Sequence, residues 1–406
     1  MINLEVPKKF RPLVDQAHQV AVEFFRANSR KYDRAEHAVP KELNMLASLL
    51  DGMNDSGAGG GTGASGVRRD TVDHAENKNG SNLSTCLGIM ELCWGDVGLL
   101  LAMPRQGLGN SAIASVANAE QLERFKGRWA AMAITEPGCG SDSANIRTTA
   151  VLDGDHYVLN GEKIYVTSGD RADLVVVWAT LDRAVGRAAI KSFVVEKGTP
   201  GFELVRLEHK LGIRASDTAA FALKDVRVPK ENLLGDPEVN VEKGFAGVMQ
   251  TFDNTRPLVA AMAIGLTRAC LEETWKLLDT AGLSVDYRRP SLVQSSAAAT
   301  LLGLEADYEA ARLLTLQAAW MADNRKPNSL QASMAKAKAG RTCVDVALKC
   351  VEIAGSLGYA EGNGGAGLLE KWARDAKILD IFEGTQQIQL LIVARRLLGK
   401  SSAELK

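Results

Sequence analysis

Hydrophobic positions recur with a helical period through the first part of the chain. They lie three or four residues apart, which is the spacing of one face of an α-helix. The positions are Leu13, Ala17, Val20, Ala21, Phe24 and Phe25. The pattern predicts helices over residues 1 to about 130. A glycine-rich stretch at 56–66 interrupts it. Because this stretch lacks the Gly-Lys-Ser/Thr ending of a phosphate-binding loop, we interpret it as a flexible surface loop.

The period changes to that of β-strands over residues 131–240. Two turn signals stand close together, Asp153-Gly154 and Asn160-Gly161, and β-type residues flank both. Dipeptides of this kind between such residues predict two hairpin turns. Further apolar runs at 174–180, 190–196 and 202–208 predict three more strands. The region is therefore predicted to be a compact all-β domain.

From residue 241 to residue 406 the pattern is helical again. Leu301, Leu304, Tyr308 and Ala311 form one apolar stripe, and residues 329–354 form a long alanine-rich helical segment. Pro257 falls inside a helical run, so it is expected to bend that helix. The sequence thus predicts an α+β chain of three domains, over residues 1–130, 131–240 and 241–406.

Composition and charge narrow the class of protein. The 48 basic and 49 acidic residues give a net charge of −1, without a basic patch suited to nucleic acid. No run of 18 apolar residues predicts a membrane span. The N-terminal residues resemble neither a signal peptide nor a transit peptide, which predicts a cytoplasmic location. The six cysteines form no CxxC pair and only five histidines are present, so neither a metal site nor a disulfide scaffold is expected.

Seven segments resemble, in the same order, the signature segments of the acyl-CoA dehydrogenase family. Four resemble its β-domain and three its C-terminal helical domain. The segments are ITEPGCGSDSANIRT (134–148), NGEKIYVTSG (160–169), KLGIRASDT (210–218), VRVPKENLLG (226–235), FDNTRP (252–257), AKILDIFEGTQQIQ (376–389) and VARR (393–396). Such a series over nearly the whole chain is far more specific than one motif. The pattern is most similar to the medium-chain type.

The resemblance implies a helical N-terminal domain, a middle antiparallel β-domain and a C-terminal four-helix bundle, with FAD between the last two. It also implies oxidation of an acyl-CoA thioester to the trans-2-enoyl-CoA, as in fatty-acid β-oxidation. The weakly acidic α-proton needs a positioned base, and the β-hydrogen leaves as hydride for flavin N5. Electrons would pass to an electron-transfer flavoprotein. The subunit is expected in a homotetramer, or in a heterotetramer with a related subunit.

Glu383, in the segment Phe382-Glu383-Gly384-Thr385, stands at the family's catalytic-base position. Burial against flavin and substrate would raise its pKa toward the working range. Some family members place the base on the helix that holds FDNTRP, where this chain has Thr255. A threonine cannot serve as that base, so Glu383 is the matched candidate.

The resemblance also implies which residues contact the ligands. The predicted FAD contacts are Ile134, Thr135, Ser141, Tyr165, Thr167, Tyr287, Glu352, Gly355, Thr385 and Gln387. The predicted substrate contacts are Ser141, Asp253, Arg256, Gly384 and Arg395. Tyr165 stands where the family commonly has tryptophan, so an aromatic wall over the flavin is still expected. For Asp253 and Arg256 the alternative is a solvated ion pair at a helix end, which contributes little stability.

The sequence departs from the family where a neighbouring subunit's FAD is held. The family has an Arg-x-x-Phe-Gly-x-Pro segment there, and alignment on Pro290 places Ser284 at the arginine and Tyr287 at the phenylalanine. Glu352 replaces a glutamine of a later segment. Serine cannot bind pyrophosphate bidentately, and a nearby carboxylate would repel it. We therefore weigh a mixed oligomer, whose partner chain retains the arginine, against a homotetramer that binds the adenosine end weakly.

Other functions on the same fold are less consistent with the residues. A structural or regulatory subunit that does no chemistry would have no need of Glu383. An acyl-CoA oxidase would normally be longer, and a flavin monooxygenase would not need this base. A DNA-associated member is disfavoured by the near-zero net charge.

Overall fold

A computed structural model describes residues 6–47, 78–104, 108–239, 246–361, 367–401 and 404–405. The glycine-rich stretch at 56–66 lies outside these residues. In the helix that begins at Ala246, side chains are described from Thr255 onward, so the predicted role of Asp253 is not tested.

Helices occupy both ends of the chain. Their bounds are α1 Arg11–Val20, α2 Ala27–Arg34, α3 Ser81–Gly95, α4 Val97–Leu101, α5 Leu108–Val116, α6 Ala119–Arg124, α7 Ala246–Thr280, α8 Ser296–Asp323, α9 Ser329–Ala354, α10 Ser356–Tyr359, α11 Leu369–Leu379 and α12 Gln386–Leu398. A π-helical segment, Ala21–Arg26, joins α1 to α2. The predicted helix over 329–354 is confirmed, and Pro257 lies inside α7 as predicted.

A seven-stranded sheet lies between the two helical regions. The strands are β1 Ala130–Ala133, β2 Thr149–Asp153, β3 His156–Thr167, β4 Leu174–Thr180, β5 Ile190–Glu196, β6 Phe202–Leu207 and β7 Thr218–Pro229. Their order is β1-β4-β2-β3-β7-β6, and β5 pairs with β4. Most pairs are antiparallel as predicted, but β1 and β2 each pair with β4 in parallel. β4 is buried along its whole length, which explains its continuous apolar run.

One of the two predicted hairpin turns is wrong. Asp153-Gly154 does form the turn between β2 and β3, where Asp153 pairs with His156. Asn160-Gly161 instead lies inside β3, at a shift of register against β7. The Asn160 side chain bonds to Asp225 across the strands, with Nδ2 donating to Oδ1 at 3.0 Å. The dipeptide is therefore a β-bulge, because the same φ-tolerant residues suit a bulge and a turn.

The helices from both ends of the chain share one hydrophobic core. Buried residues of α3 pack in a continuous cluster with those of α7, α8, α9 and α11. α3 is buried over most of its surface, which fits a helix that is apolar on every side. A Cβ at Gly265 of α7 would lie 2.3 Å from the Met90 carbonyl oxygen of α3, so glycine permits this close approach. The domain boundaries at 130 and 240 stay predictions.

α11 is fixed to the β-domain and to the N-terminal region. The backbone NH of Ile213 donates to Asp375 Oδ1 of α11 at 2.5 Å. Lys371, one turn earlier, is 1% exposed and donates to Asp375 at 2.5 Å and to Asp96 at 2.7 Å. These bonds join three regions of the chain at the helix that leads into the Glu383 turn.

Candidate active site

Glu383 lies in a tight turn between α11 and α12. Its φ of 56° and the φ of 88° at Gly384 place two successive residues in the left-handed region. A non-glycine residue there is strained, and such strain clusters at functional sites. Gln389 Nε2 donates to the Glu383 carbonyl at 3.0 Å, and the Thr385 side chain caps α12. The turn is therefore held by the first turns of the helix that follows it.

The carboxyl group of Glu383 is half-buried among polar neighbours. Thr255 Oγ1, on α7, donates to Glu383 Oε2 at 2.9 Å. Burial raises the pKa of Glu383 above its ordinary value, while the Thr255 hydroxyl and the cations of Arg256 and Lys336 oppose the rise. A carboxyl with a raised pKa is suited to accepting a proton near neutral pH.

Lys336 of α9 is a site residue that the sequence reasoning missed. Its side chain is 0% exposed, and Nζ donates to the Gly384 carbonyl at 2.7 Å. The available signal was a lysine inside the alanine-rich run ASMAKAKAG. That signal is weak, since Lys338, two residues on, is partly exposed and pairs with Asp307.

Arg256 is buried beside Glu383 and does not lie at a solvated helix end. It is 3% exposed, and Nη1 lies 3.4 Å from the Ser333 hydroxyl of α9. Its charge acts on both Glu383 and Lys336. The alternative of a solvated ion pair is therefore wrong for Arg256, and its predicted contact with CoA stays a prediction.

A buried ion pair shapes the loop that follows β1. Glu136 accepts from Lys163 Nζ at 2.8 Å, from the Thr148 hydroxyl at 2.6 Å and from the Arg147 backbone NH at 2.6 Å. Lys163 also donates to the Ile134 carbonyl at 3.1 Å. These bonds fold the predicted FAD-contact loop onto β3. The sequence reasoning quoted both residues within motifs but gave neither of them a role.

The predicted FAD contacts of the β-domain lie on this loop and on β3. The Ile164 backbone NH donates to the Thr135 carbonyl at 2.9 Å, which places the loop against the strand. Thr135 and Thr167 are half-buried and Ser141 is exposed. Within the described residues, none of these three hydroxyls has a hydrogen-bond partner. Free hydroxyls can donate and accept, so this set fits the polar edge of a flavin ring.

Tyr165 breaks the regular course of β3. Its φ is 58°, and it lies at a register shift between Lys163 and Val166. The side chain is 62% exposed. The backbone therefore turns this ring out of the sheet, and the predicted aromatic wall over the flavin stays a prediction.

The remaining predicted contacts are distributed over the C-terminal helices. Gln387 is exposed on α12, and Arg395 Nε, near the end of that helix, donates to the Leu405 carbonyl at 2.7 Å. The described structure shows no hydrogen bond or ion pair between Glu383 and Thr135, Ser141 or Thr167. A molecule that contacts both groups would have to extend between the β-domain and the helices.

The residues that depart from the family bond to other protein groups. Ser284 Oγ donates to Asp279 at 2.5 Å, and Glu352 accepts from Lys349 at 2.6 Å. The Tyr287 hydroxyl donates to Glu305 Oε2 at 3.0 Å. Burial raises the pKa of Tyr287, and the neighbouring Glu305 carboxylate raises it further. Gly355, with a φ of 58°, ends α9. None of these groups presents a cation to a pyrophosphate.

One cluster in the described part of the chain has the ligand types of a metal site. The ring atoms His37 Nε2 and His209 Nδ1 lie 3.4 Å apart, and His209 Nδ1 lies 3.0 Å from Glu36 Oε2. His209 contacts both other side chains, and it is the exposed member of the cluster. The absence of a metal site thus stays a prediction. Among the described helices, none is long and apolar enough to cross a membrane.

The α-β-α frame thus carries a glutamate carboxyl with a raised pKa and three hydroxyls without partners in the described chain, groups that are chemically suited to accepting a proton and to binding a polar cofactor. Comparison with known families agrees with this chemistry. Residues 131–226 match the model "Acyl-CoA dehydrogenase, middle domain", and residues 242–398 match "Acyl-CoA dehydrogenase, C-terminal domain". The chain belongs to the acyl-CoA dehydrogenase family, whose members are FAD-dependent oxidoreductases. The family, fold-class and cofactor predictions are confirmed.

Two curated relatives show how far the sequence similarity extends. The chain is 34% identical over 329 residues to the short-chain specific acyl-CoA dehydrogenase of Clostridium acetobutylicum, covering 78% of this chain and 83% of that protein. It is 38% identical over 266 residues to the mitochondrial short-chain specific enzyme of Mus musculus. That match covers 66% of this chain and 62% of the mouse protein, which is less than two thirds of its length. The medium-chain subtype stays a prediction, and the names of both relatives are those of short-chain enzymes.

Solved structures show the same fold over nearly the whole chain. Butyryl-CoA dehydrogenase from Megasphaera elsdenii superimposes with a TM-score of 0.82 at 29% identity, covering 98% of this chain and 100% of that chain. A chain from a structure described as the electron transferring flavoprotein of Acidaminococcus fermentans gives a TM-score of 0.80 at 30% identity. It covers 98% of this chain and 100% of the other.

Proposed function

We propose that the chain oxidises an acyl-CoA thioester to the trans-2-enoyl-CoA, with Glu383 as the base that removes the α-proton. The observation that carries this proposal is the half-buried Glu383 carboxyl, held in a left-handed turn with a raised pKa. Thr255 stands at the alternative base position and donates a hydrogen bond to Glu383. It supports the base and does not replace it.

The two carboxylate oxygens of Glu383 have different tasks in this proposal. Oε2 accepts a hydrogen bond from the Thr255 hydroxyl, so Oε1 is the oxygen assigned to the α-proton. The chemistry that FAD would supply when bound is that of a hydride acceptor for the β-hydrogen, so that loss of one proton and one hydride would leave a carbon–carbon double bond. Thr135, Ser141 and Thr167 are proposed to bind the flavin edge, since their hydroxyls are free within the described chain.

The substrate and the electron acceptor are also proposals. The names of the relatives favour a short acyl chain, with butyryl-CoA as the first compound to test. The similarity to a chain from an electron transferring flavoprotein structure favours such a flavoprotein as the acceptor. The cytoplasmic location and the tetrameric state predicted from the sequence stay predictions.

The test is Glu383→Gln, followed by anaerobic bleaching of the flavin absorbance with a panel of acyl-CoAs. The amide keeps the shape of the side chain but cannot accept the α-proton. We expect the variant to keep the flavin spectrum and to lose most of its bleaching rate, about 10²–10⁴-fold. Glu309→Gln is the matched control, because Glu309 pairs with Arg312 on the exposed part of α8. Bleaching of the Glu383 variant at the control rate would place the base elsewhere.

The second candidate is a half-site or non-catalytic subunit of a heteromeric acyl-CoA dehydrogenase. It is favoured by Ser284 and Glu352, which bond to Asp279 and Lys349 and offer no cation to a pyrophosphate. The flavin-to-protein ratio of the chain purified alone separates the two candidates. A full complement of FAD that is bleached by a thioester supports a self-sufficient enzyme. A colourless protein that does not take up added FAD supports a partner subunit.

A further inference from the structure

Lys336 is buried on the face of α9 that packs against the Glu383 turn. It shares that face with Ser333, one turn earlier, and Gly340, one turn later, and all three are buried. A Cβ at Gly340 would lie 2.6 Å from the Leu379 carbonyl oxygen, so α9 approaches the end of α11 closely at that point. This close approach brings Lys336 to the turn that begins immediately after α11.

The ammonium group of Lys336 reaches the backbone beside the base. Nζ donates to the Gly384 carbonyl at 2.7 Å. Gln389 Nε2 donates to the same oxygen at 3.3 Å, from α12. The peptide that follows Gly384, next to the Glu383 turn residue, is thus held from two helices. Since both residues of the turn have a positive φ, these bonds help to maintain a conformation that the chain would not adopt without support.

Four charged groups surround this position. Asp380 and Glu383 lie on the turn itself, Arg256 comes from α7 and Lys336 from α9. Burial lowers the pKa of Lys336 to about 8, and the two carboxylates oppose that fall. Below pH 8 Lys336 is therefore mainly a cation. A buried lysine contributes little net stability compared with an apolar side chain of similar size. Stability alone therefore does not explain why position 336 is a lysine.

We propose that Lys336 is a positioning residue for the catalytic base: its hydrogen bond to Gly384 fixes the turn that presents Glu383, and its charge favours the ionised carboxylate. The inference rests on the proposed function of Glu383. The Lys336 side chain touches neither substrate nor flavin in this proposal, and it acts only through the turn.

The test compares Lys336→Met with Lys338→Met in the FAD-loaded protein. Both variants remove one ammonium from α9, and Lys338 is the matched control because it pairs with Asp307, outside the turn. Lys336→Arg is the conservative variant, since it retains a cation and its donors. Melting temperature, flavin content, acyl-CoA affinity and the limiting rate of anaerobic bleaching are measured from pH 5 to pH 8.

For Lys336→Met we expect unchanged flavin content and acyl-CoA affinity, with a limiting rate reduced about 10- to 100-fold by displacement of the base. Loss of the positive charge raises the pKa of Glu383 further, so the acid limb of the rate profile moves up by about one pH unit. Lys336→Arg is expected to restore the position of that limb. If Lys336→Met does not fold, Lys336→Arg becomes the deciding variant. An acid limb of the rate profile that moves up in Lys336→Arg would overturn the inference, because this variant retains the positive charge.

The outcomes separate this inference from the function on which it rests. If Glu383→Gln bleaches normally, the proposed base is wrong. If Glu383→Gln is inactive while Lys336→Met matches Lys338→Met in rate and in acid limb, only the role of Lys336 is overturned.

Discussion

At the scale of single residues, the proposed base Glu383 is distinguished by its neighbours more than by its own residue type. Glutamates are common in this chain, and Glu383 differs from most of them in its left-handed backbone and its contact with Thr255. The family motif predicted Glu383 as the base from the sequence alone. The motif could not show Lys336, because nothing in an alanine-rich helix distinguishes a buried lysine from an exposed one. That distinction depends on which face of α9 meets α11.

Thr255 lowers the pKa of the proposed base, so its removal should shift the pH dependence of the reaction. The Thr255 hydroxyl donates to the ionised carboxylate and so holds the pKa of Glu383 below the value that burial alone would give. In Thr255→Val that pKa rises, less carboxylate is present at a given pH, and the acid limb of the bleaching rate moves up by about half to one pH unit. Thr255→Ser retains the hydroxyl and serves as the control. An unmoved limb in the valine variant would mean that the bond does not act on the base.

At the scale of elements, the strands at 174–180 and 190–196 and the helix at 329–354 follow from periodicity, because long apolar patterns leave few alternatives. The bulge at Asn160-Gly161 did not follow. A Cβ at Gly161 would lie 2.5 Å from the hydroxyl of Thr148, the residue before β2, so the close approach of that segment, and not a turn, requires a glycine here. Such a contact depends on how two separate segments pack, so the Asn160-Gly161 dipeptide alone cannot predict it.

Two glycines in long helices should respond oppositely to alanine. At Gly265 of α7 the new methyl group would lie 2.3 Å from the Met90 carbonyl oxygen, so Gly265→Ala should destabilise the protein by about 1–3 kcal/mol. At Gly303 of α8 a methyl group meets nothing within 4 Å. Gly303→Ala should therefore stabilise by about 0.5–1 kcal/mol, from helix propensity alone. Urea unfolding of both variants measures the difference, and equal shifts would contradict the close packing of α3 on α7.

At the scale of the whole molecule, the three regions are joined by buried charges. Lys371 of α11 contacts Asp96 before α4 and Asp375, and Asp375 accepts the Ile213 NH from the β-domain. The Ser29 hydroxyl also donates to Asp96. The order of the three regions was predictable from the sequence, whereas this junction was not. Its members lie up to 346 positions apart, from Ser29 to Asp375, and the sequence assigned a role to none of these residues.

Removal of the Lys371 cation should destabilise the folded protein strongly. Lys371→Ala leaves Asp96 and Asp375 buried without their partner, and the expected loss is about 3–5 kcal/mol. Lys349→Ala removes only an exposed pair with Glu352 and should change stability by less than about 1 kcal/mol. Thermal and urea unfolding compare the two variants. Similar values would show that water or rearrangement compensates the two carboxylates.

The single core shared by both ends of the chain has a consequence for biosynthesis. α3 is complete at Gly95, but the α7 surface that covers it ends at Thr280. At about 5–20 residues per second, the ribosome needs roughly 10 to 40 seconds to make the chain between them. During that interval an apolar helix is present without its partner. A chaperone that covers α3 during this interval should therefore reduce aggregation of the nascent chain before the C-terminal helices emerge.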